Sequence, residues 1–385
     1  MQSTSNSPYP LAFAGLLALT AAMGIGRFAL TPILPFMIEG IPLSPADAGF
    51  IASANFLGYL AGAIGASALP SGGDGRRWFL AGLVLSVITV TAMGLSADPV
   101  ALAVNRFVGG AASALVLVFS ASLIVEPLTR AGRPELSAVL FGGVGCGIIL
   151  SATIVGILGA RGADWRMLWE ACGAATFVAT LVIWYVLPRR ESATATPAVA
   201  RAAASNGSSR WPLIRLNLAY GLFGFGYVIT GTFLTTILRG SADLRTLEAP
   251  VWALVGLAAA FSLWFWSRVA GRIGHARSFA LACLVEAAAV TLTVTSSAPA
   301  AFLVAAVMFG GTFVGISGIG LIVMRRISSA NPSRAFGVMT AIFGVGQAIG
   351  PTVAGIGAEL TGSFTLPSLA AAVALTVAAA LSYGL

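Results

Sequence analysis

Long apolar runs recur from one end of the chain to the other, and each is long enough to cross a membrane. A bilayer-spanning helix needs about 20 mostly apolar residues. Twelve such runs are present, at about 10–38, 46–68, 78–97, 99–126, 135–159, 165–187, 212–238, 248–267, 278–297, 299–324, 336–359 and 366–385. They are too long, and alternate too little, for the strands of a membrane barrel. The sequence therefore predicts an all-α integral membrane protein with twelve transmembrane helices.

The charge content excludes a soluble protein of this size. Charged residues make up 9% of the 385 residues and hydrophobic residues 58%, whereas soluble domains carry roughly 25% charged residues. With the N-terminus inside, fifteen arginines fall in loops on the inner side and four on the outer side. This asymmetry predicts a bacterial inner-membrane protein with both termini in the cytoplasm. It also accounts for the net charge of +8 without a nucleic-acid partner.

A polar stretch divides the twelve runs into two sets of six. Residues 188–211 are rich in Ser, Ala and Thr and contain almost no bulky apolar residue, which is typical of a flexible linker. We predict an N-terminal six-helix bundle over 1–187, a cytoplasmic linker over 188–211 and a C-terminal bundle over 212–385. The first run is a span and not a signal peptide, because Met1–Pro10 lacks the basic residues of a signal sequence.

The two sets of six repeat each other at an offset of about 200 residues, mainly through shared Gly positions. MGIGRFALTPIL at 23–34 matches FGFGYVITGTFL at 223–234. RFVGGAASA at 106–114 matches MFGGTFVGI at 308–316, and FGGVGCGII at 141–149 matches IFGVGQAIG at 342–350. Parallel six-helix repeats are known from transporters in which the substrate lies between the halves, near the bilayer midplane. The repeat predicts two pseudo-symmetric halves with a site between them.

The motif GIGRFALTPILP at Gly24–Pro35, together with GFGYVITGTFL at 224–234, resembles the YbfB/YjiJ-type branch of the major facilitator superfamily. The resemblance covers essentially the whole chain and implies the major facilitator fold and a permease role, with the substrate left open. Arg106-Phe107-Val108-Gly109-Gly110 resembles the superfamily's helix-4 motif, in which the Arg is linked to proton transfer. The Gly-rich fifth and eleventh spans partly resemble the antiporter motif.

The loop motif of the superfamily, G-x-x-x-D-R-x-G-R-R, is only partly present. Gly75-Arg76-Arg77 fits its end, but Gly72 stands where the Asp is expected, with Asp74 nearby. In the second half Gly271 again occupies the Asp place. The resemblance implies a gating role for Asp74, Arg76, Arg77 and Arg272. The missing Asp puts the usual lock of the outward-facing state in doubt.

Two arginines lie inside the predicted spans. Arg27 is about 18 Å along the first helix from Glu39, and Arg106 is about 12 Å along the fourth from Asp98, which places them at comparable depth. Charged side chains within a membrane are costly and usually face a cavity. Because a guanidinium pairs bidentately with carboxylate or phosphate, the pair predicts an anionic substrate. Alternatively, Arg27 pairs with backbone carbonyls or an acid, and Arg106 only braces its helix.

The repeat places Tyr227 at the position of Arg27 and Val307 at that of Arg106, so the intramembrane charge lies in the first half only. Aromatic and polar residues of the second half then suit an apolar body on the substrate. The candidate substrate contacts besides the two arginines are Asn55, Tyr59, Phe223, Tyr227, Thr230 and Gln347. Each has a structural alternative in helix packing or interhelical hydrogen bonding.

Few acidic residues are placed to carry a coupling proton. Glu286 lies in the middle of the ninth span, where it either binds and releases a proton or stays protonated and hydrogen-bonded to a neighbour. Glu126 lies at the inner end of the fourth span, where it is a second coupling candidate or an interfacial anchor. The sequence has no ATP-binding P-loop, metal-binding cluster or nucleophile triad. We therefore expect no cofactor, no metal and no enzymatic activity.

These observations predict a secondary active transporter that moves a small organic anion by alternating access and is proton- or exchange-coupled. Its expected partners are the small-molecule substrate, membrane lipids and a coupling proton, and we expect a monomer. The alternative within transport is export of amphiphilic or drug-like compounds, in which the Arg pair is structural or proton-linked. An intramembrane enzyme lacks a catalytic constellation, and a transport-inactive receptor is the remaining alternative.

Overall fold

The structure, a computed structural model, describes residues 8–69, 75–187, 211–328 and 332–385. These residues contain twelve helices long and apolar enough to cross a membrane, which confirms the predicted fold class. The helices are α1 (Pro8–Gly40), α2 (Pro45–Ala68), α3 (Gly75–Ala92), α4 (Pro99–Arg130), α5 (Ser137–Gly159), α6 (Trp165–Val186), α7 (Trp211–Arg239), α8 (Ala242–Ile273), α9 (His275–Thr295), α10 (Pro299–Ile327), α11 (Pro332–Thr361) and α12 (Thr365–Ser382). The linker predicted at 188–211 lies outside the described residues apart from Trp211.

Most helices begin and end within a few residues of the predicted spans. The largest differences are at α3, which ends at Ala92 and not near 97, and at α8, which continues to Ile273 and not to 267. Several helices begin at a polar cap: Ser44 and Asp47 form a capping box before α2, and Asp98 and Asp164 accept backbone N–H groups at the starts of α4 and α6. These caps satisfy N–H groups that a helix cannot satisfy itself.

α1–α6 pack against one another, and α7–α12 do the same. The equivalence between the halves is visible where α4 meets α2 and α10 meets α8. A Cβ at Gly110 would overlap the carbonyl oxygen of Asn55, and a Cβ at Gly310 would overlap that of Val255. Both residues of the second contact are 200 positions beyond those of the first, so the backbone contact is repeated.

This offset corrects one expectation. With an offset of 200, Arg106 corresponds to Ala306, which is fully buried, and not to Val307, which is 48% exposed. The position taken as the equivalent of Arg106 is one residue too far along, and the match of 106–114 with 308–316 is two residues too far. The main inference is unaffected, because Ala306 is also uncharged and the intramembrane charge still lies in the first half.

Two helices of the first half are irregular, whereas their counterparts in the second half are not. α1 contains a π-helical segment at Thr20–Ile25, and α4 contains one at Ala121–Val125. α7 and α10 are α-helical along their whole length. A π-helical turn holds an extra residue and so changes the direction of the side chains that follow. Arg27 comes directly after the segment in α1, which therefore sets its orientation.

The most extensive contacts between the halves run along three helix pairs. We call the side of the bundle where α1 begins and α12 ends the terminal side, and the opposite side the distal side. α2 packs against α11, and α5 against α8, with Gly49 on the carbonyl of Pro351 and Gly145 on that of Gly256. Contacts between α1 and α7 concentrate on Leu30–Gly40, in the distal part of α1. In this conformation α1 and α7 are therefore closed together on the distal side.

Candidate functional site

A narrow cavity lies between the two halves, next to the distal contact of α1 and α7. Its free volume is about 10 Å³, close to the room that one water molecule needs, so the space is nearly collapsed in this conformation. Its lining comes from α1, α2, α4 and α7: Arg27, Phe28, Leu30, Thr31, Ala52, Phe56, Arg106, Val228, Gly231 and Thr232. On the distal side, the Thr31 hydroxyl donates to the carbonyl oxygen of Gly231 at 2.5 Å, and the Thr235 hydroxyl donates to that of Thr31. The cavity is therefore shut off from the distal side by contacts between the halves.

Arg27 brings a buried positive charge to this cavity. Its side chain is only 5% exposed, and its Nε and Nη2 have no hydrogen-bond partner among the described residues. We call these two nitrogens the open edge of Arg27. The guanidinium carbon lies 4.3 Å from the ring centroid of Tyr59 and 5.1 Å from that of Phe56, in cation–π contact. The rings contact the guanidinium through its π-facing surface and do not use the two nitrogens of the open edge.

Arg106 lines the same cavity but is largely engaged by the backbone of α1. Its Nη1 donates to the carbonyl oxygen of Gly26 at 2.7 Å, and its Nη2 to that of Arg27 at 2.9 Å. Nε has no partner within the described part of the chain. The Asn55 amide donates in turn to the carbonyl oxygen of Arg106 at 2.9 Å. Arg106 therefore fixes the backbone at Arg27, and its Nε is the one of its three nitrogens without a partner among the described residues.

The second half faces these arginines with a stack of aromatic rings. Tyr227 lies within electrostatic range of Arg27, and its ring is nearly parallel to those of Phe313 and Phe343, at centroid distances of 5.8 Å and 6.0 Å. Phe223 stacks on Tyr227 at 5.1 Å. The Gln347 amide donates to the Tyr227 hydroxyl, so the ring is held between α7 and α11. This wall is apolar apart from that one hydroxyl–amide pair.

The candidate contacts predicted from sequence thus fall into two groups. Arg27 and Arg106 line the cavity itself, and Tyr59 covers the guanidinium of Arg27. Asn55, Phe223, Tyr227 and Gln347 form the layer behind, joined by the contacts described above. Thr230 is buried, with a hydroxyl that has no partner in the described residues, and it is not part of the lining.

Sequence reasoning missed Thr31, Phe56 and Phe343, although helical spacing offered a signal for each. Thr31 is four residues after Arg27, Phe56 three before Tyr59 and Phe343 four before Gln347, and such pairs share a helix face. Phe313 and Phe28, whose ring centroids are 5.8 Å apart across the halves, gave no such signal. Their contact depends on how the halves dock.

Glu286 lies on α9, deep within the second half. Its side chain is fully buried, and neither carboxyl oxygen has a satisfied hydrogen bond among the described residues. Thr312 of α10 lies beside the carboxyl. The Thr312 hydroxyl, however, donates to the carbonyl oxygens of Met308 and Phe309 at 2.8 Å and 2.9 Å. The hydroxyl hydrogen of Thr312 is thus committed to the backbone of its own helix, and only its oxygen is left to accept a hydrogen bond from a protonated Glu286.

The remaining gating candidates lie on the terminal side. Glu126 pairs with Arg130 one turn further along α4. Arg76 and Arg77 lie in the first turn of α3, where the Arg76 guanidinium is 5.5 Å from the ring centroid of Trp184, and Arg272 is in the last turn of α8. Asp74 is outside the described residues. In the part of the chain that is described, no group of His, Cys, Asp and Glu is arranged to hold a metal ion.

A charged cluster on the distal side was not predicted, because sequence reasoning treated its members as loop charges. Arg239 donates to both carboxyl oxygens of Glu248, at 2.6 Å and 2.8 Å, and to Glu39 at 3.0 Å. Its guanidinium also lies 4.0 Å from the ring centroid of Phe36. We call Arg239, Glu248, Glu39 and Phe36 the distal clamp. It joins the end of α1 to the second half, beyond the cavity.

Twelve membrane-spanning helices in two pseudo-symmetric halves, with a cavity between them, define a membrane transporter of the major facilitator type. The chain belongs to the family described as uncharacterised MFS-type transporter YbfB, whose model matches residues 19–383. Two relatives from Escherichia coli strains, both uncharacterised transporters called YgaY, are 26% identical over 185 residues. That match covers 46% of this chain and 45% of each relative, so the chain spans about half their length in the comparison.

Solved structures agree on the fold. A mutant of the nucleoside transporter NupG superimposes with a TM-score of 0.74 at 15% identity, covering 97% of this chain and 98% of that one. NupG without the mutation gives a TM-score of 0.72 at 15% identity, with 98% of both chains covered. At this identity the likeness concerns the arrangement of helices alone.

Proposed function

We propose that this protein is a secondary active transporter that moves a small organic anion by alternating access between its two halves. One observation carries the proposal: Arg27 lines a cavity between the halves, and its buried Nε and Nη2 have no hydrogen-bond partner among the described residues. A permanently charged guanidinium in the membrane interior is costly unless it is paired. An anionic group of the substrate would supply that pair, and Arg106 would hold Arg27 in position for it.

Contacts between the halves support alternating access. The distal side is closed by the Thr31–Gly231 and Thr235–Thr31 hydrogen bonds and by the distal clamp. With the termini in the bacterial cytoplasm, as the arginine distribution predicts, this conformation is closed to the outside. The tight glycine contacts of α2 with α11 and of α5 with α8 supply close-packed surfaces on which one half rocks against the other. We propose 1–187 and 212–385 as the moving units and 188–211 as their linker.

For energy coupling we propose a proton carried by Glu286, with substrate exchange as the competing mode. The support is the setting of the carboxyl, since a buried carboxylate without a cation or hydrogen-bond donor is strongly disfavoured. The acid is therefore neutral in this conformation. It would lose its proton only when rocking of the halves admits water or brings a positive group near.

Transport by purified protein in liposomes tests the proposed function. Labelled organic anions are supplied with a pH gradient, with excess unlabelled anion inside, or with neither. We expect accumulation that depends on Arg27 and is lost in Arg27→Gln. Arg161→Gln, which removes one exposed arginine from the loop after α5, is the matched control and should transport normally.

The driving force distinguishes the two coupling modes. Glu286→Gln should retain exchange but fail to accumulate substrate with the pH gradient. Equal accumulation by Glu286→Gln and the unmodified protein refutes the proton role. Efflux of amphiphilic or drug-like compounds that is indifferent to Arg27→Gln would instead establish the exporter alternative.

A further inference from the structure

The open edge of Arg27 has the geometry of a site for a single carboxylate. Nε and Nη2 lie on one side of the planar guanidinium, so their N–H groups point in parallel toward two oxygens of one acid group. Arg106 is engaged elsewhere, because one N–H of Nη1 and one of Nη2 are donated to the carbonyl oxygens of Gly26 and Arg27, and only its Nε is without a partner among the described residues. Of the two cavity arginines, Arg27 alone thus has a whole bidentate edge unpartnered, which suits a monocarboxylate better than a ligand with two separated acid groups.

The surroundings of that position are largely apolar and include two aromatic rings. Phe28 and Phe56 line the cavity together with Leu30, Ala52 and Val228. The ring of Phe28 continues into the second half, with its centroid 5.8 Å from that of Phe313 and 6.4 Å from that of Trp252. Aromatic rings pack well against other rings in offset or edge-to-face arrangements. A substrate whose body is a flat, uncharged ring would therefore match the wall beyond the acid group.

The same lining offers no acidic partner to an amino group. None of the ten described residues that line the cavity is acidic, and two are arginines. Thr31 and Thr232 donate their hydroxyl hydrogens to the carbonyl oxygens of Gly231 and Val228, so their oxygens are left as neutral acceptors only. An ammonium group would enter this site without a counter-ion and close to a positive charge, which is unfavourable away from water.

From these three features we infer that the substrate is a monocarboxylate with a flat, uncharged, apolar body, such as an aromatic carboxylic acid, and that zwitterionic amino acids are rejected. The inference rests on the proposed function and narrows its substrate class. Arg27 selects for the carboxylate of the substrate. The absence of an acidic side chain among the described lining residues excludes the amino group.

Three compounds of nearly the same shape test this inference. 3-Phenylpropanoate has the carboxylate and the ring, phenylalanine adds an amino group, and 3-phenylpropanamide replaces the carboxylate by a neutral amide. Binding to the purified full-length protein is measured by calorimetry. We expect 3-phenylpropanoate to bind at least about tenfold more tightly than either of the other two, the ratio that loss of one charge-assisted hydrogen bond produces.

Variants assign the selectivity to named residues. Arg27→Gln should abolish the preference for carboxylate over amide, and Arg161→Gln should leave it unchanged. If Arg27→Gln does not fold, as judged by its melting temperature, Arg27→Lys replaces it, because Lys keeps the charge without the planar fork and should weaken carboxylate binding. Phe56→Leu should reduce affinity for 3-phenylpropanoate more than for butanoate, which lacks a ring.

Each result has a definite meaning. Equal affinity for phenylalanine and 3-phenylpropanoate overturns the inferred class, as does carboxylate binding that is unaffected in both Arg27 variants. Arg27-dependent transport of dicarboxylates or phosphate esters without binding of 3-phenylpropanoate overturns the class but leaves the proposed function standing. No Arg27-dependent anion binding of any kind overturns both.

Discussion

The two halves share a backbone plan and differ in the chemistry they bring to the centre of the membrane. Gly110 on Asn55 and Gly310 on Val255 show the same helix contact repeated. At the equivalent positions 27 and 227, however, the first half has a buried arginine and the second has a tyrosine in an aromatic stack. The packing of helices depends on small residues at fixed positions, whereas the site depends on a few large side chains. The small residues that pack the helices and the large side chains of the site can therefore diverge independently.

The strongest test of the shared plan is to add one methyl group at each repeated contact. Gly110→Ala and Gly310→Ala both place a Cβ against a backbone carbonyl that cannot move without shifting a helix. We expect each to destabilise the folded protein by about 3 kcal/mol or more, the upper range for overpacking. Melting temperature in detergent is the measurement.

Gly311→Ala is the matched control, because a Cβ there meets no atom within 4 Å. It should be neutral or slightly stabilising, as alanine is the better helix former. A large effect at only one of Gly110 and Gly310 would break the equivalence of the halves.

The next largest effect should be confined to the first half. Arg106→Gln removes the hydrogen bonds to the carbonyl oxygens of Gly26 and Arg27, each contributing about 1.5–3 kcal/mol as a charge-assisted bond. Without them the segment carrying Arg27 is free to shift, so substrate affinity should fall along with stability. Arg106→Lys should recover only part of the loss, because it keeps the positive charge but one ammonium cannot match the geometry of the planar fork. Unchanged affinity in a folded Arg106→Gln variant would show that Arg27 is positioned without it.

A smaller effect is expected where the halves are joined by charge. Arg239→Gln leaves Glu248, which is 9% exposed at its side chain, without its bidentate partner and removes the contact with Glu39. Only Glu39 and Phe36 belong to the other half, and the side chain of Glu39 is 52% exposed, so we expect the conformational equilibrium to shift by about 1–2 kcal/mol toward opening of the distal side. Alkylation of Val228→Cys from that side, in a background lacking Cys146, Cys172 and Cys283, reports the opening.

Arg245→Gln provides the control for the distal clamp. Arg245 is 60% exposed at its side chain and its guanidinium is 3.9 Å from Glu39, so it is a weak surface partner. Its replacement should leave the alkylation rate unchanged. Equal rates in Arg239→Gln and the unmodified background would mean that the clamp does not hold the distal side closed.

The smallest effect concerns the aromatic half. Tyr227→Phe keeps the ring stacked on Phe223 and Phe313 and removes only the hydroxyl that accepts from Gln347. We expect a loss of about 1 kcal/mol in stability and little change in affinity for an aromatic carboxylate. Tyr227→Ala, by contrast, should weaken both. A large loss of affinity in Tyr227→Phe would show that the second half also supplies a polar contact.

Hydrophobic run length was enough to predict all twelve helices, because the bilayer imposes both length and composition. The depth of Arg27 and Arg106 followed from counting residues, and the structure joins Arg106 to the backbone at Arg27. The hydrogen-bond partners of Arg106 could not be predicted, since the two bonds link residues that are 79 and 80 positions apart. The distal clamp was missed for a similar reason: Arg239 and Glu39 are 200 positions apart and meet only through docking of the halves.

The lack of an acidic side chain among the ten described cavity residues gives the empty and loaded transporter different electrical properties. If the substrate is the proposed monoanion, its binding lowers the charge carried by the two cavity arginines from +2 to +1, and its release restores +2. A charge that crosses the whole membrane field changes energy by about 2.3 kcal/mol per 100 mV. The membrane potential should therefore act more strongly on the empty site than on the loaded one, and an imposed voltage should change net flux more than one-for-one exchange.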